Sequence, residues 1–249
     1  MTTAKSTDRS LEQLLAQLSP EDYYQSPGGR RTLIAYALIA GVPRGATVLD
    51  VQCGIGSSAV DMAEAFDAKV YGFDDYPAYL AFGRQLASNR GMGKQIDFQA
   101  IPGAKALESY PENNFDVVLG LGGGLSDTIP GGFEGGLAAA QRWLKDRGVI
   151  ITGDLIAPGQ PSDLMKIVFG QKLHAEDAYL EAIDAAGFDV IYAGRSTTRD
   201  WDQMLGTKER LRARSLDLGP EDERQRQQLT EAARTHPEVA FLNVLARKK

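Results

Sequence analysis

The chain has 249 residues, of which 43% are hydrophobic and 24% charged, as in an ordinary soluble globular protein of one large or two small domains. Its net charge of −6 and sequence pI of about 5.1 argue against a nucleic-acid partner bound through its phosphates. A single cysteine excludes an internal disulfide and a cysteine-based zinc site.

The sequence also shows no metal-binding spacing, no membrane-spanning segment and no secretory signal. His174 and His236 lie far apart, so no metal site is predicted. No apolar run reaches the roughly 18 residues of a membrane span, and the first residues contain no apolar secretory core. We therefore expect a cytoplasmic protein with no membrane partner.

Residues 1–45 are predicted to form a helical cap before the main domain. Four leucines repeat at helical spacing up to Pro20: Leu11, Leu14, Leu15 and Leu18. Tyr23 and Tyr24 then precede a Ser-Pro-Gly-Gly turn. This segment either covers a pocket or is a surface loop whose tyrosines pack on the domain. A helix is predicted from Leu33 to Ala40, ending at Gly41.

The stretch 47–59, T-V-L-D-V-Q-C-G-I-G-S-S-A, predicts a buried strand, a glycine turn and a helix start. This order brings backbone N–H groups and the positive end of a helix dipole to a ligand. Gly54 and Gly56 allow close approach because they carry no Cβ. The pattern also satisfies the dinucleotide fingerprint G-x-G-x-x-A, and an ordinary strand-to-helix turn fits it as well.

Asp50, inside the end of this strand, makes the stretch more specific. The segment resembles motif I of the class I S-adenosylmethionine-dependent methyltransferases, hydrophobic-L-D-x-G-C-G-x-G. Gln52 stands where the family has its first glycine. The resemblance implies a cofactor site that includes Asp50, Gln52, Cys53, Gly54 and Gly56.

The second predicted strand, 69–73, ends in two acids. Gly72, Asp74 and Pro77 match the family pattern G-x-D-x-S-P. An acid at this tip is placed to bind both ribose hydroxyls of an adenosyl group, so we assign that role to Asp74. Asp75 is the second choice, and it also suits the N-cap of the next helix.

The third predicted strand, 96–101, is followed by a second departure from the family. Family members usually have G-D-A there, and the acid helps hold the adenine amino group. This chain has Pro102, Gly103 and Ala104 instead, which implies either backbone-only contacts to adenine or a weakened site.

The fourth strand opens with F-D-V-V at 115–118 and runs into a glycine-rich segment that begins at Gly120. Glycines there either leave room for a ligand or form a flexible loop. Residues 142–148 resemble the family's R-x-L-K-P-G-G, and the fifth strand is predicted over 149–152, with Asp154 at its end.

The remainder completes the expected fold. We predict an active-site loop over 155–173 that contains a short helix at 164–169, then a helix over 174–186 and a sixth strand entered through A-G-F. Residues 198–235 are predicted to form two charged helices that cover the substrate, before a last strand over 239–247. The fold class is α/β. It is a Rossmann-like seven-stranded methyltransferase sheet over 46–249, mostly parallel with the last strand antiparallel, and it has helices on both faces.

The resemblance implies transfer of a methyl group from S-adenosyl-L-methionine to a small-molecule substrate. A base is needed only if the nucleophile arrives protonated. The candidates, all in segments expected at the mouth of the sheet, are Asp154, His174, Tyr23 and Tyr24. His174 also fits a surface residue at a helix start. The tyrosines and Trp201 are predicted to close over the substrate, although Trp201 equally suits an anchor on the sheet.

Two other functions remain open from the sequence. An NAD-dependent dehydrogenase would share the glycines and Asp74, but it has no role for Asp50, and no Tyr-x-x-x-Lys pair is present. A protein of this fold that does not transfer methyl groups, such as a cyclase or a cofactor-binding partner subunit, would fit Gln52 and Gly103. The substrate and the methylated atom cannot be read from the sequence.

Overall fold

The computed structural model describes residues 23–169, 173–212 and 236–249. These residues form one sheet in the order β3-β2-β1-β4-β5-β8-β7, with a short strand β6 beside β5. The strands are β1 Thr47–Val51, β2 Lys69–Asp74, β3 Ile96–Ala100, β4 Phe115–Gly120, β5 Leu144–Ala157, β6 His174–Ala175, β7 Phe188–Arg195 and β8 Ala240–Lys248.

Helices lie between the strands. They are α1 Gly29–Ala40, α2 Ser57–Phe66, α3 Pro77–Asn89, α4 Gly103–Ser109, α5 Gly124–Thr128, α6 Gly132–Trp143, α7 Asp163–Phe169, α8 Glu176–Ala185 and α9 Thr198–Arg212. A 3-10 turn over Leu121–Gly123 joins β4 to α5. Within the described ranges, no helix combines the length and the apolar character that a membrane crossing needs.

Strand direction confirms the predicted sheet. β1 pairs in parallel with β2 and β4, and β5 continues the parallel run beside β4. β8 is antiparallel to both β5 and β7. The strand order therefore reverses between β1 and β4, which is where open α/β sheets bind ligands at the carboxyl ends of their strands.

Successive side chains of the central strands point to opposite faces and build two cores. Val48 packs in a core with α1, α2 and α3, whereas Leu49 packs in a second core with α6 and α8. Trp143 and Tyr179 are the largest fully buried side chains of the second core. Because both faces are covered, the carboxyl edge of the sheet is left to form a site.

Three local expectations need correction. β5 runs from Leu144 to Ala157, so Asp154 lies inside the strand and not at its end. His174 belongs to β6, because the helix begins only at Glu176. The glycine-rich segment after β4 is a 3-10 turn followed by a helix rather than a loop.

Two predicted helical regions fall outside the described residues. The leucine repeat of 11–18 lies before residue 23, and the second helix of the predicted 198–235 pair lies within 213–235. The first helix of that pair is present as α9.

Candidate functional site

The turn after β1 requires left-handed backbone at three of its five residues. Gln52, Gly54 and Gly56 have φ angles of 51°, 54° and 76°. A Cβ at Gly56 would lie 2.6 Å from the Phe98 ring, so only glycine fits there. Gln52 adopts a conformation that costs an L-residue about 1–2 kcal/mol. The φ of Gln52 gives a physical reason for a glycine at this position of the family motif.

Asp74 ties this turn to the end of β2. Its carboxylate accepts the backbone N–H of Gly54 at 2.9 Å and that of Tyr76 at 2.8 Å, and the residue is only 3% exposed. A carboxylate has about four acceptor positions, so these two bonds are compatible with ribose hydroxyls as further donors. Asp75 is exposed beside it.

Asp50 lies beneath the turn, where it links β1 to the start of α2. Its carboxyl group is buried and accepts the Ser58 hydroxyl at 2.6 Å. The pKa of Asp50 is raised to about 7, chiefly by burial and also by the nearby Asp74 carboxylate, against the lowering effect of the Ser58 hydrogen bond. Cys53 is also buried, and burial holds the pKa of its thiol well above the ordinary value.

We expect Asp50→Asn to change how the free energy of unfolding depends on pH. A carboxyl whose pKa is raised in the fold binds more protons than the unfolded chain between the two pKa values, so stability falls as pH rises from about 4 to about 7. Asp50→Asn should remove this component, which amounts to about 1.4 kcal/mol per unit of pKa shift at most. Urea unfolding of both proteins across this range measures it.

Asp61 provides the internal control for that measurement. Burial raises its pKa to about 6, and it is unchanged in both proteins, so its contribution cancels in their difference. If the two stability curves run parallel from pH 4 to 7, Asp50 titrates as an ordinary carboxyl group and this account of the turn is wrong.

The other predicted cofactor residues surround the same edge. Pro102 and Ala104 are exposed, and Gly103 between them is buried at the start of α4. Gly120 is the last residue of β4, where a Cβ would lie 2.5 Å from Leu125 Cγ. Gln52 points its side chain at α5, where its carbonyl oxygen accepts the Thr128 hydroxyl.

The four candidate bases fall into two groups. Tyr24 donates its buried hydroxyl to Asp61 at 2.6 Å, and Arg30 pairs with the same carboxylate. Burial, followed by the Asp61 charge, holds the pKa of Tyr24 well above its usual value. Tyr23 is buried next to it, with its ring 6.3 Å from that of Phe82. The tyrosines therefore attach the segment before α1 to α2, through Tyr24, and to α3, through Tyr23.

Asp154 and His174 form the second group, on β5 and its neighbour β6. Ser126 of α5 donates its hydroxyl to Asp154. A Cβ at Gly123, in the turn after β4, would lie 3.5 Å from an Asp154 carboxylate oxygen. His174 pairs with Ile156, and its half-buried ring lies 6.0 Å from Phe133. Asp154 therefore lies close to the glycine segment after β4, and the tyrosines lie on the α2 side.

Sequence reasoning missed Gln25. Its side-chain oxygen accepts the Ile55 N–H at 3.3 Å and would lie 2.5 Å from a Cβ on Gly54. The Tyr-rich segment was a signal that something covers the site. However, no local pattern shows which of its side chains reaches across to the turn. The next residue, Ser26, lies close to the segment after β4, because a Cβ added at Gly122 would lie 3.4 Å from the Ser26 Cβ.

A cleft of about 490 Å³ opens between α1 and α9. Tyr24 and Met204 both line this cleft, whereas Asp50, Asp74 and Asp154 do not. Trp201 packs its ring 6.3 Å from Phe241 of β8 at an angle of 89°, which favours the anchoring role. Closure of these segments over a substrate stays a prediction. Among the described residues, no cluster of three or more His, Cys, Asp or Glu could hold a metal ion.

Comparison with known proteins agrees with this geometry. Residues 48–148 match the sequence profile of a methyltransferase domain. The chain is 32% identical to phosphoethanolamine N-methyltransferase 3 of Arabidopsis thaliana over 68% of its own length and 34% of that protein. The chain thus spans about a third of the length of this curated relative.

Two solved structures share the fold. One is a SAM-dependent methyltransferase from Geobacter sulfurreducens in complex with S-adenosyl-L-homocysteine, at a TM-score of 0.70 and 17% identity over 98% of this chain and all of that one. The other is the [4+2]-cyclase SpnF, at a TM-score of 0.69 and 21% identity over 88% of this chain and 80% of that one. With the matched domain, the strand order and the glycine turn held by Asp74, the chain belongs to the class I S-adenosylmethionine-dependent methyltransferases.

Proposed function

We propose that the protein transfers the methyl group of S-adenosylmethionine to a small-molecule substrate. The observation that carries this proposal is the Asp74 carboxylate, which is buried at the end of β2 and hydrogen-bonded to the glycine turn of β1. A buried acid and a glycine turn thus lie side by side at the point where the strand order reverses, which supports Asp74 as the proposed ribose acceptor.

The residues of the turn fit the proposed cofactor. The left-handed turn at Gly54 and Gly56 leads directly into α2, which begins after them with its positive dipole end. Asp74 would accept the ribose hydroxyls, and Asp50 would keep the turn in place from below. When bound, the cofactor supplies the activated methyl group, so the chain has to align the nucleophile and exclude water.

Asp154 is the candidate that we propose as general base, if the nucleophile carries a proton. Its carboxylate is half-buried beside the glycine segment after β4 and is held by Ser126. Tyr24 is less suited, because its hydroxyl is committed to Asp61 and its raised pKa keeps it protonated. His174 lies farther along the same pair of strands, packed against Phe133.

The substrate is proposed only as a small molecule. The curated relatives are named for phosphoethanolamine, sterols and, in Oryza sativa, tocopherol, which range from a small charged phosphate ester to large apolar ring compounds. A substrate entering between α1 and α9 would meet apolar side chains such as Ile34 and Met204, together with the guanidinium groups of Arg31 and Arg199.

A second function is favoured by Gln52 and Gly103, the two departures from the family motif. A chain of this fold can serve a reaction other than methyl transfer, as the [4+2]-cyclase of the same fold shows. In that case the cofactor would bind without losing its methyl group.

Calorimetry with S-adenosylmethionine and S-adenosylhomocysteine, followed by incubation of the protein with methyl-labelled cofactor and a mixture of small metabolites, separates these functions. Binding with label transferred to a small molecule is the result that we expect. If the protein binds S-adenosylmethionine but transfers its label to none of a broad set of acceptors, the result supports the second function. Absence of binding by both compounds overturns both.

A further inference from the structure

Gln52 and Gly103, which are far apart in the sequence, contact the same residue, Thr128 at the end of α5. The Thr128 hydroxyl donates a hydrogen bond to the side-chain oxygen of Gln52. On its other side, the Thr128 carbonyl oxygen lies 2.2 Å from where a Cβ of Gly103 would stand, and its methyl group lies 2.7 Å away. The two departures from the family motif are therefore parts of one local arrangement.

Each departure has a physical reason at Thr128. The backbone of Gln52 is in the left-handed region, with a φ of 51°, which glycine adopts freely and glutamine does not. The hydrogen bond to Thr128 fixes its side chain while the backbone keeps that angle. Gly103 lacks a side chain because main-chain atoms of Thr128 fill the space. An acid at position 103 cannot be accommodated unless α5 moves.

α5 is itself fixed at its other end. A Cβ on Gly124 would lie 2.5 Å from the carbonyl oxygen of Val51, so the first turn of α5 packs directly on the end of β1. Ser126 in the middle of the helix holds Asp154. The helix thus contacts the β1 turn, the start of α4 and β5 at the same time, and it has little freedom to shift.

We propose that Thr128 is a positioning residue of the cofactor site. Its hydroxyl holds Gln52 and thereby the left-handed turn, and its backbone fills the space that a side chain at position 103, an acid in family members, would need. This inference rests on the proposed function, because the turn matters only if it binds the cofactor. Thr128 touches neither the cofactor nor the substrate in this account and acts through Gln52.

A pair of near-isosteric variants tests the proposal. Thr128→Val keeps the shape and removes the hydroxyl, whereas Thr128→Ser keeps the hydroxyl. Calorimetry with S-adenosylhomocysteine should show binding weakened about tenfold in Thr128→Val, as for one lost hydrogen bond that leaves its acceptor unpaired. Thr128→Ser should stay within about twofold of the parent protein. Equal affinity of Thr128→Val and the parent overturns the proposal.

A double-mutant cycle separates positioning from a general loss of stability. Once Gln52→Gly has removed the acceptor, adding Thr128→Val should weaken binding no further. Full additivity of the two changes would mean that Thr128 does not act through Gln52.

The same cycle, measured by urea unfolding without ligand, should show the same coupling. If the parent protein binds no cofactor, the proposed function fails. The coupling in the free protein is still measured, and its absence there refutes the Gln52–Thr128 link independently.

Discussion

Replacing Asp74 with alanine is expected to weaken the binding of S-adenosylhomocysteine by at least about a hundredfold. The change removes the acceptor of two backbone N–H groups, those of Gly54 and Tyr76, and the proposed acceptor of the ribose hydroxyls. Two lost charge-assisted hydrogen bonds of about 1.5–3 kcal/mol each account for this factor. Calorimetry on the purified variant gives the affinity directly.

Asp75→Ala is the matched control for Asp74→Ala, since it removes the same charge from an exposed neighbour. We expect Asp75→Ala to bind like the parent protein. If Asp74→Ala also keeps the parent's affinity, the ribose belongs to another residue and the assignment to the tip of β2 is wrong.

Gly103→Ala is expected to lower the free energy of unfolding by about 2–3 kcal/mol, the usual cost of overpacking a tight site. The new Cβ would lie 2.2 Å from the Thr128 carbonyl oxygen, which is backbone and cannot rotate away. The effect opposes helix propensity, which alone favours alanine over glycine in α4 by about 1 kcal/mol. Gly103→Asp, which would restore the acid of the family motif, should therefore destabilise the protein and fail to tighten cofactor binding.

Gly93→Ala is the control for this steric argument. A Cβ there would meet only Ser88 at 3.8 Å, an ordinary contact. Thermal and urea unfolding should find Gly93→Ala close to the parent protein and Gly103→Ala well below it. A Gly103→Ala protein as stable as the parent would show that α5 does not press on α4.

The sheet was readable from the sequence because its strands follow one another with clear boundaries. Val48, Leu49 and Val51 give β1 apolar side chains on both of its faces, as a strand covered on both sides must have. The length of β5 was not readable, because Gly153 and Asp154 interrupt its apolar run. Its pairing with β8 from Val149 to Ile156 carries the strand through that interruption.

The site was predictable only where its residues are close in the sequence. Asp74 was identified from a local motif, and the structure places it on the glycine turn. Gln25 reaches Ile55 across the space between two segments, which no local pattern encodes. Gln52 and Gly103 each appeared as a defect when taken alone, and only their shared contact with Thr128 relates them.

The burial of Cys53 has a consequence for chemical labelling. The reactive form of cysteine is the thiolate, and burial, with the charges of Asp50 and Asp74, raises the pKa of the Cys53 thiol and holds it in its protonated form. Alkylating reagents and mild oxidants therefore reach it only when the β1 turn opens. As the chain contains no other cysteine, the rate of its modification in the native protein measures how often that turn opens, without a probe having to be introduced.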